Sequence, residues 1–264
     1  MIVLLILDGA VLAGSEKGGF GRLYREGKWT LRARTQYPPL TEPSLAALFH
    51  GTDATFLEAY WDDQDTYKTW TSYPPHICSL FQVLAQHGLR STVFGTWPGL
   101  VSELTNPQWL EDRTEDPAVV GLDHHVFEKT LSALRARRSD LIVSYYEEAD
   151  HVAHEHGMDY RYYRALSRFN QHVAEMMSVL DRERDLLIVV ADHGRFGEAG
   201  GRDHFQYSDS TTKIPLLLWG AKIEPGHIAD CDEAAIIDVA PTILDFLSLA
   251  VPHSMRGRSL LQKK

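Results

Sequence analysis

Asp8, Thr41, Asp150, His154, Asp192, His193 and His204 are the residues of this chain whose types and spacing suit bond-making chemistry. Carboxylates and imidazoles together suit zinc or a similar divalent metal. Two such ions about 3.5–4 Å apart can clamp the attacking and leaving oxygens of a phosphoryl transfer. A threonine hydroxyl held on such an ion would become a potent nucleophile near neutral pH. Each residue also has a plainer explanation. Asp8-Gly9 and Asp192-His193-Gly194 read as turns. Asp150 and His154, four apart, read as a pair on a helix surface. Thr41 before Glu-Pro-Ser reads as a helix start, and His204 as a loop histidine. Their joint occurrence, each at the end of a strand or the start of a helix, favours a site.

Those positions depend on the elements that deliver them. Short apolar runs at 2–7, 91–95, 141–146, 186–190 and 214–220 predict strands buried on both faces. Helical patterns fall at 43–51, 77–88, 124–138, 160–183 and 236–249, and the first two end on glycine. Alternating strands and helices predict an α/β fold: a mostly parallel central sheet sandwiched by helices, as one domain over residues 1–264. Ligands of such sheets bind beyond the carboxyl ends of the strands. Asp8 and Asp192-His193 directly follow two of them. Segment 13–36 reads as an irregular excursion or small hairpin, and 52–75 as loop.

Composition narrows the class. The chain has 264 residues, 44% hydrophobic and 23% charged, with formal net charge -10. That balance argues against general nucleic-acid binding by phosphate neutralisation. An acidic chain can still bind phosphorylated small molecules if metal ions supply the positive charge. Two cysteines, Cys78 and Cys231, argue against a disulfide framework or a cysteine zinc site, and read as free thiols of a reducing compartment. No run approaches the length of a membrane span. The opening "MIVLLILDGA" lacks a basic n-region, so it reads as a first strand and the expected location is cytoplasmic.

The order Asp8-Gly9, Thr41-Glu42-Pro43-Ser44, Asp150-x-x-x-His154, Asp192-His193-Gly194 and then His204 resembles the alkaline phosphatase superfamily. Within it, "TEPS" followed by a helix ending at Gly51, "LAQHGLRSTVFGTWPG" and "SYYEEADHVAHEHG" look most like the nucleotide pyrophosphatase/phosphodiesterase branch. The closing stretch 236–261 also resembles the superfamily's usual C-terminal segment. The resemblance implies a two-metal phosphoesterase acting on a small-molecule phosphate ester. Asp150, His154 and His204 would hold one divalent ion. Asp8, Asp192, His193 and Thr41 would hold the other. Thr41 would be the nucleophile, forming a phosphothreonine that water then hydrolyses. Zinc is the expected metal, with manganese the alternative.

The chain departs from that branch in three places. Only ten residues separate His193 from His204, where the phosphodiesterases place a long insertion; His227 and His253 compete for the role. Glu58, in "EAYWD", stands where the branch has a phosphate-contacting Asn. "TEPSLAALFHG" also fits the sulfatase frame, but Thr41 replaces the modified Cys and Leu45 the Arg, so a standard sulfatase is not expected. Trp97, Arg195 and Arg202 join Glu58 as candidate substrate contacts. The alternatives are a phosphomonoesterase or phosphotransferase of the same superfamily, and a weakly active metal-binding scaffold.

Overall fold

In the computed structural model the described residues are 1–12, 18–57, 73–74, 76–95, 110–114, 123–197, 200–228 and 234–261. Three strands form the centre: β1 (Ile2–Leu7), β5 (Leu141–Tyr146) and β6 (Leu186–Ala191), with every residue buried. Their unbroken apolar runs follow from that two-sided burial. The strand β1 pairs in parallel with both neighbours, and Leu7 sits opposite both Tyr146 and Ala191. The three strands therefore end level. Whatever follows them emerges side by side.

Further strands are β2 (Lys28–Arg34), β3 (Ser91–Phe94), β4 (Leu110–Thr114), β7 (Lys213–Gly220) and β8 (Gly226–His227). Among the described residues the sheet order is β4-β3-β5-β1-β6-β7-β2-β8. Only β7 runs against the rest, antiparallel to both β6 and β2. Helices flank this mostly parallel sheet: α1 (Gly18–Glu26), α2 (Thr41–His50), α3 (Ala54–Leu57), α4 (Leu80–Gln86), α5 (Asp123–Ala136), α6 (Glu148–His156), α7 (Tyr160–Val179), α8 (Asp209–Thr212) and α9 (Val239–Phe246).

The structure corrects the expectation for segment 13–36. Its described part holds α1 and a strand of the main sheet, β2. "KWTLRAR" carries three basic residues and lies only partly buried between β7 and the two-residue β8. Near a sheet edge a strand keeps polar side chains in water, so the apolar run that betrays a central strand is absent. Segment 236–249 also differs. A 3₁₀ turn at Ile236–Asp238 precedes α9.

Helix α2 begins two residues before the apolar pattern suggests, at Thr41. It is buried from Pro43 to His50 and stops at Gly51, whose φ of 59° is the left-handed conformation glycine tolerates. A helix apolar on all sides belongs inside the core. Its first turn is thereby anchored at the sheet edge.

Candidate metal centre and nucleophile

Asp8 leaves the end of β1, and Asp192 and His193 leave the end of β6. The turn at Gly9 binds them together. The Gly9 amide donates to Asp192 Oδ1 at 3.0 Å, and the His193 amide donates to the same oxygen at 2.8 Å. Gly9 adopts φ 56°, and a Cβ there would stand 2.4 Å from Asp150 Oδ1. Glycine is thus required both by conformation and by space. Tyr145, on β5, donates its hydroxyl to Asp8 Oδ2. Tyr162, on α7, accepts from the Val11 amide at 2.7 Å and donates to the Gly9 carbonyl at 3.1 Å.

Asp150 and His154 lie one turn apart on α6, with His154 Nε2 3.1 Å from Asp150 Oδ2. His204 returns to them through the glycine-rich loop. The Phe196 amide donates to the Asp203 carbonyl at 2.7 Å, and the Gly201 amide to the Phe196 carbonyl at 3.1 Å. Gly200 and Gly201 both have positive φ. The Met158 amide donates to the Gly200 carbonyl at 2.8 Å, pinning the loop to the junction after α6. Folded back in this way, ten residues suffice to bring His204 beside His154, with ring centroids 5.1 Å apart.

The ligand atoms gather into two groups, Asp8/Asp192/His193 and Asp150/His154/His204, the atoms of each lying within 4.8 Å of one another. The rings of His193 and His204 stack at 3.7 Å, so the groups adjoin. His193 Nδ1 faces the Gly194 carbonyl at 3.0 Å, and His204 Nδ1 faces the Pro39 carbonyl at 2.8 Å. A ring that donates through Nδ1 presents Nε2 as a lone pair, the arrangement of metal-ligating histidines. Asp192 Oδ2 is buried without a hydrogen-bond partner, and an orphaned carboxylate oxygen of this kind needs a cation. The residues fit a pair of divalent ions. Thr41 Oγ1 stands 3.3 Å from His193 Nε2, in the first turn of α2.

Electrostatics follow the crowding of charge. Burial and the Asp8 carboxylate push Asp192 up to about 7. Burial disfavours the His193 imidazolium, but Asp192 and Asp8 outweigh it and raise the group to about 9. Burial also works against the Asp8 carboxylate, yet His193 and Tyr145 hold it below its usual value. Burial and the neighbouring His193 lower His204 to about 3.

The candidate substrate contacts fare differently. Arg195 is fully buried. It donates through Nη2 to the carboxylate and carbonyl of Asp150, and through Nη1 to the Gly201 carbonyl at 2.9 Å. This corrects its reading as an anion contact: its charge is spent on Asp150, a candidate metal ligand. Arg202 is exposed beside the loop. Glu58 and Trp97 lie outside the described residues. His227 packs on Trp29 at 4.4 Å, at the far edge of the sheet, and His253 is exposed. Neither joins the groups above.

Sequence reasoning missed Tyr145, Tyr162 and Asp123. The Asp123 carboxylate accepts from the amides of Glu147 and Glu148, at 3.1 and 3.3 Å, and so caps α6, the helix of Asp150 and His154. Burial and Glu148 raise Asp123 to about 8. These contacts cross 24 to 153 residues, and no local pattern announces them.

A central parallel sheet with acids and imidazoles at its carboxyl edge defines an alkaline phosphatase-like metalloenzyme. A family model described as the metalloenzyme superfamily matches residues 116–251, and the chain belongs to that superfamily. The chain is 25% identical over 253 residues to 2,3-bisphosphoglycerate-independent phosphoglycerate mutase of Legionella pneumophila (strain Paris), covering 85% of this chain and 48% of the mutase. It is 29% identical over 152 residues to GPI ethanolamine phosphate transferase 3 of Schizosaccharomyces pombe, covering 53% of this chain and 15% of that protein. The chain spans about half the length of the mutases it matches. In fold it is similar to a 2-O GAG sulfatase, with TM-score 0.70, 15% identity and coverage of 98% of this chain and 73% of the other. No helix among the described residues is long and apolar enough to cross a membrane.

Proposed function

We propose that this chain, over residues 1–264, is a metal-dependent phosphoric ester hydrolase of phosphodiesterase or pyrophosphatase type, with Thr41 as its nucleophile. One observation carries the reading: a hydroxyl in the first turn of a buried helix lies 3.3 Å from His193 Nε2, beside two groups of metal-ligating residues. Asp8, Asp192, His193 and Thr41 would hold one ion, and Asp150, His154 and His204 the other. When bound, the two ions would lower the pKa of the threonine hydroxyl and neutralise phosphoryl charge. Zinc suits this donor set, and manganese is the alternative.

Thr41 Oγ1 attacks phosphorus in line with the leaving group. The Thr41 hydroxyl gives up its proton as the bond from phosphorus to the leaving oxygen breaks. The leaving group takes a proton from water and departs as an alcohol, and the phosphoryl group rests on Thr41. Helix α2 aims its positive end at the phosphoryl oxygens. Water then attacks the phosphothreonine, releasing phosphate or its monoester and restoring the hydroxyl. Cys78, a free thiol, suits a cytoplasmic setting.

Metal-loaded parent protein should hydrolyse bis(p-nitrophenyl) phosphate. Thr41→Ala should retain its metal and lose at least 10³-fold in kcat, as loss of a covalent nucleophile does. Parent-like turnover by that variant would sink the assignment. A second reading, phosphoryl transfer to an alcohol, draws on the mutase and transferase relatives. It predicts that added alcohols divert the phosphothreonine to new esters, visible by phosphorus NMR.

A further inference from the structure

A second concavity of about 360 Å³ opens next to the candidate centre, walled by Tyr37, Tyr207, Arg34, Lys213, Asp53 and Gln36. Its place follows from the sheet. Arg34 ends β2 and pairs with Lys213, which begins β7. Val190 of β6 pairs with Leu216 of β7, so Lys213 lies on the same edge as Asp192. The cleft sits over β7 and β2, two strand spacings or about 10 Å from the end of β6. The two sites share a wall. Thr35 lines the cleft and also donates its hydroxyl to the Asp192 carbonyl. Tyr37 is four residues before Thr41, and Tyr207 three after His204.

The lining has a definite chemistry. Tyr37 and Tyr207 meet edge to face at 5.6 Å, yet remain 58% and 70% exposed. Phe205, two residues before Tyr207, is 59% exposed and lies against His204. Large rings held in water around a concavity mark a binding surface. The polar groups carry both signs. Arg34 lies in the field of the buried Asp238, and Lys213 shares the lining with Asp53. The wall itself holds two cations, Arg34 and Lys213, and one carboxylate, Asp53, which works against a second anion there. Planar polar groups beside aromatic rings suit a neutral molecule with hydroxyls on its edges and C–H bonds on its face.

We propose that this cleft is the leaving-group subsite and that it takes a sugar ring, so that the ester cleaved at Thr41 is a sugar phosphate ester. The proposal rests on the reading of Thr41 as a phosphoryl-accepting nucleophile, but its binding half can be tested without turnover.

Saturation-transfer NMR with methyl glycosides of four common hexoses, added to Thr41→Ala protein, should show transfer to at least one. The transfer should vanish in Tyr37→Ala/Tyr207→Ala protein, whose substituted side chains are exposed and whose fold circular dichroism verifies. In the metal-loaded parent background, the same double substitution should raise KM for the methyl diester of that hexose 1-phosphate at least tenfold and leave kcat within twofold. Absence of transfer from all four glycosides would overturn the proposal, as would tighter binding of sn-glycerol 3-phosphate at the cleft, which would make it an anion site. Glycoside binding in a parent protein that cleaves no phosphate ester would overturn the nucleophile reading and leave the sugar site standing.

Discussion

Arg195 shows what a single residue does once its surroundings are known. Its guanidinium is buried against Asp150, and its two terminal nitrogens also reach the Asp150 and Gly201 carbonyls, while Nε is buried without a hydrogen-bond partner. Removing one partner of a buried ion pair leaves the other charge uncompensated, at a cost of about 3–5 kcal/mol. Arg195→Met should therefore lower the stability of the metal-free protein by about that amount. If Asp150 is a metal ligand, saturating Zn²⁺ should recover much of the loss, because a bound cation takes over the guanidinium's electrostatic role. Thermal unfolding with and without Zn²⁺ checks this. An equal loss in both conditions would remove Asp150 from the ligand set. Gly9 answers to the same crowding, since any side chain there would enter the space of Asp150 Oδ1.

At the scale of the element, α2 couples Thr41, the proposed nucleophile, to the core. His50, in its last turn, is buried, faces the Ala46 carbonyl at 2.8 Å and packs edge-on against Tyr73 at 4.5 Å. Burial lowers its pKa to about 4. The unfolded chain, near 6.5, takes up this proton more readily than the native state. The contribution of neutral His50 to stability is thus complete above pH 6.5 and is lost as pH falls toward 4. Between pH 7 and pH 5 the loss is about 2 kcal/mol. Urea unfolding should show that decline in the parent, and His50→Leu should flatten it by a similar amount. An unchanged pH slope in the variant would mean that His50 stays neutral for reasons common to both states. The loop between Phe196 and Asp203 is the other decisive element. Two glycines with positive φ let it close in so few residues, and Gly201 also leaves room for Met158, whose Cγ would stand 2.3 Å from any Cβ.

For the molecule as a whole, Asp8, Asp150 and Asp192 crowd one end of the sheet with Arg195 and three imidazoles. Ligands that bind only the native state stabilise it by mass action, about 2.7 kcal/mol at a hundredfold excess over Kd. For a chain of this size that is a rise in Tm of about 5–10 °C. Protein dialysed against EDTA should melt lower by that margin, and should regain it with two equivalents of Zn²⁺ or Mn²⁺. Bound metal below one equivalent, with an unchanged Tm, would count against a two-ion centre.

The legible part of this protein was its local part. Continuous apolar runs announced β1, β5 and β6, because strands buried on both faces admit few polar residues. The acids and imidazoles directly after those runs were legible for the same reason, being breaks in the pattern. Strand β2 was not, because near the edge the burial that writes the pattern is missing. The tertiary structure alone decided the rest. Sheet order sets β5, β1 and β6 side by side although they lie far apart in the chain, and level strand ends bring their exits together. It buried Arg195, which the sequence offered as an anion contact, and it placed the cleft over the paired ends of β7 and β2. Burial and pairing across a hundred residues depend on which surfaces meet, and neighbouring residues along the chain carry no record of that.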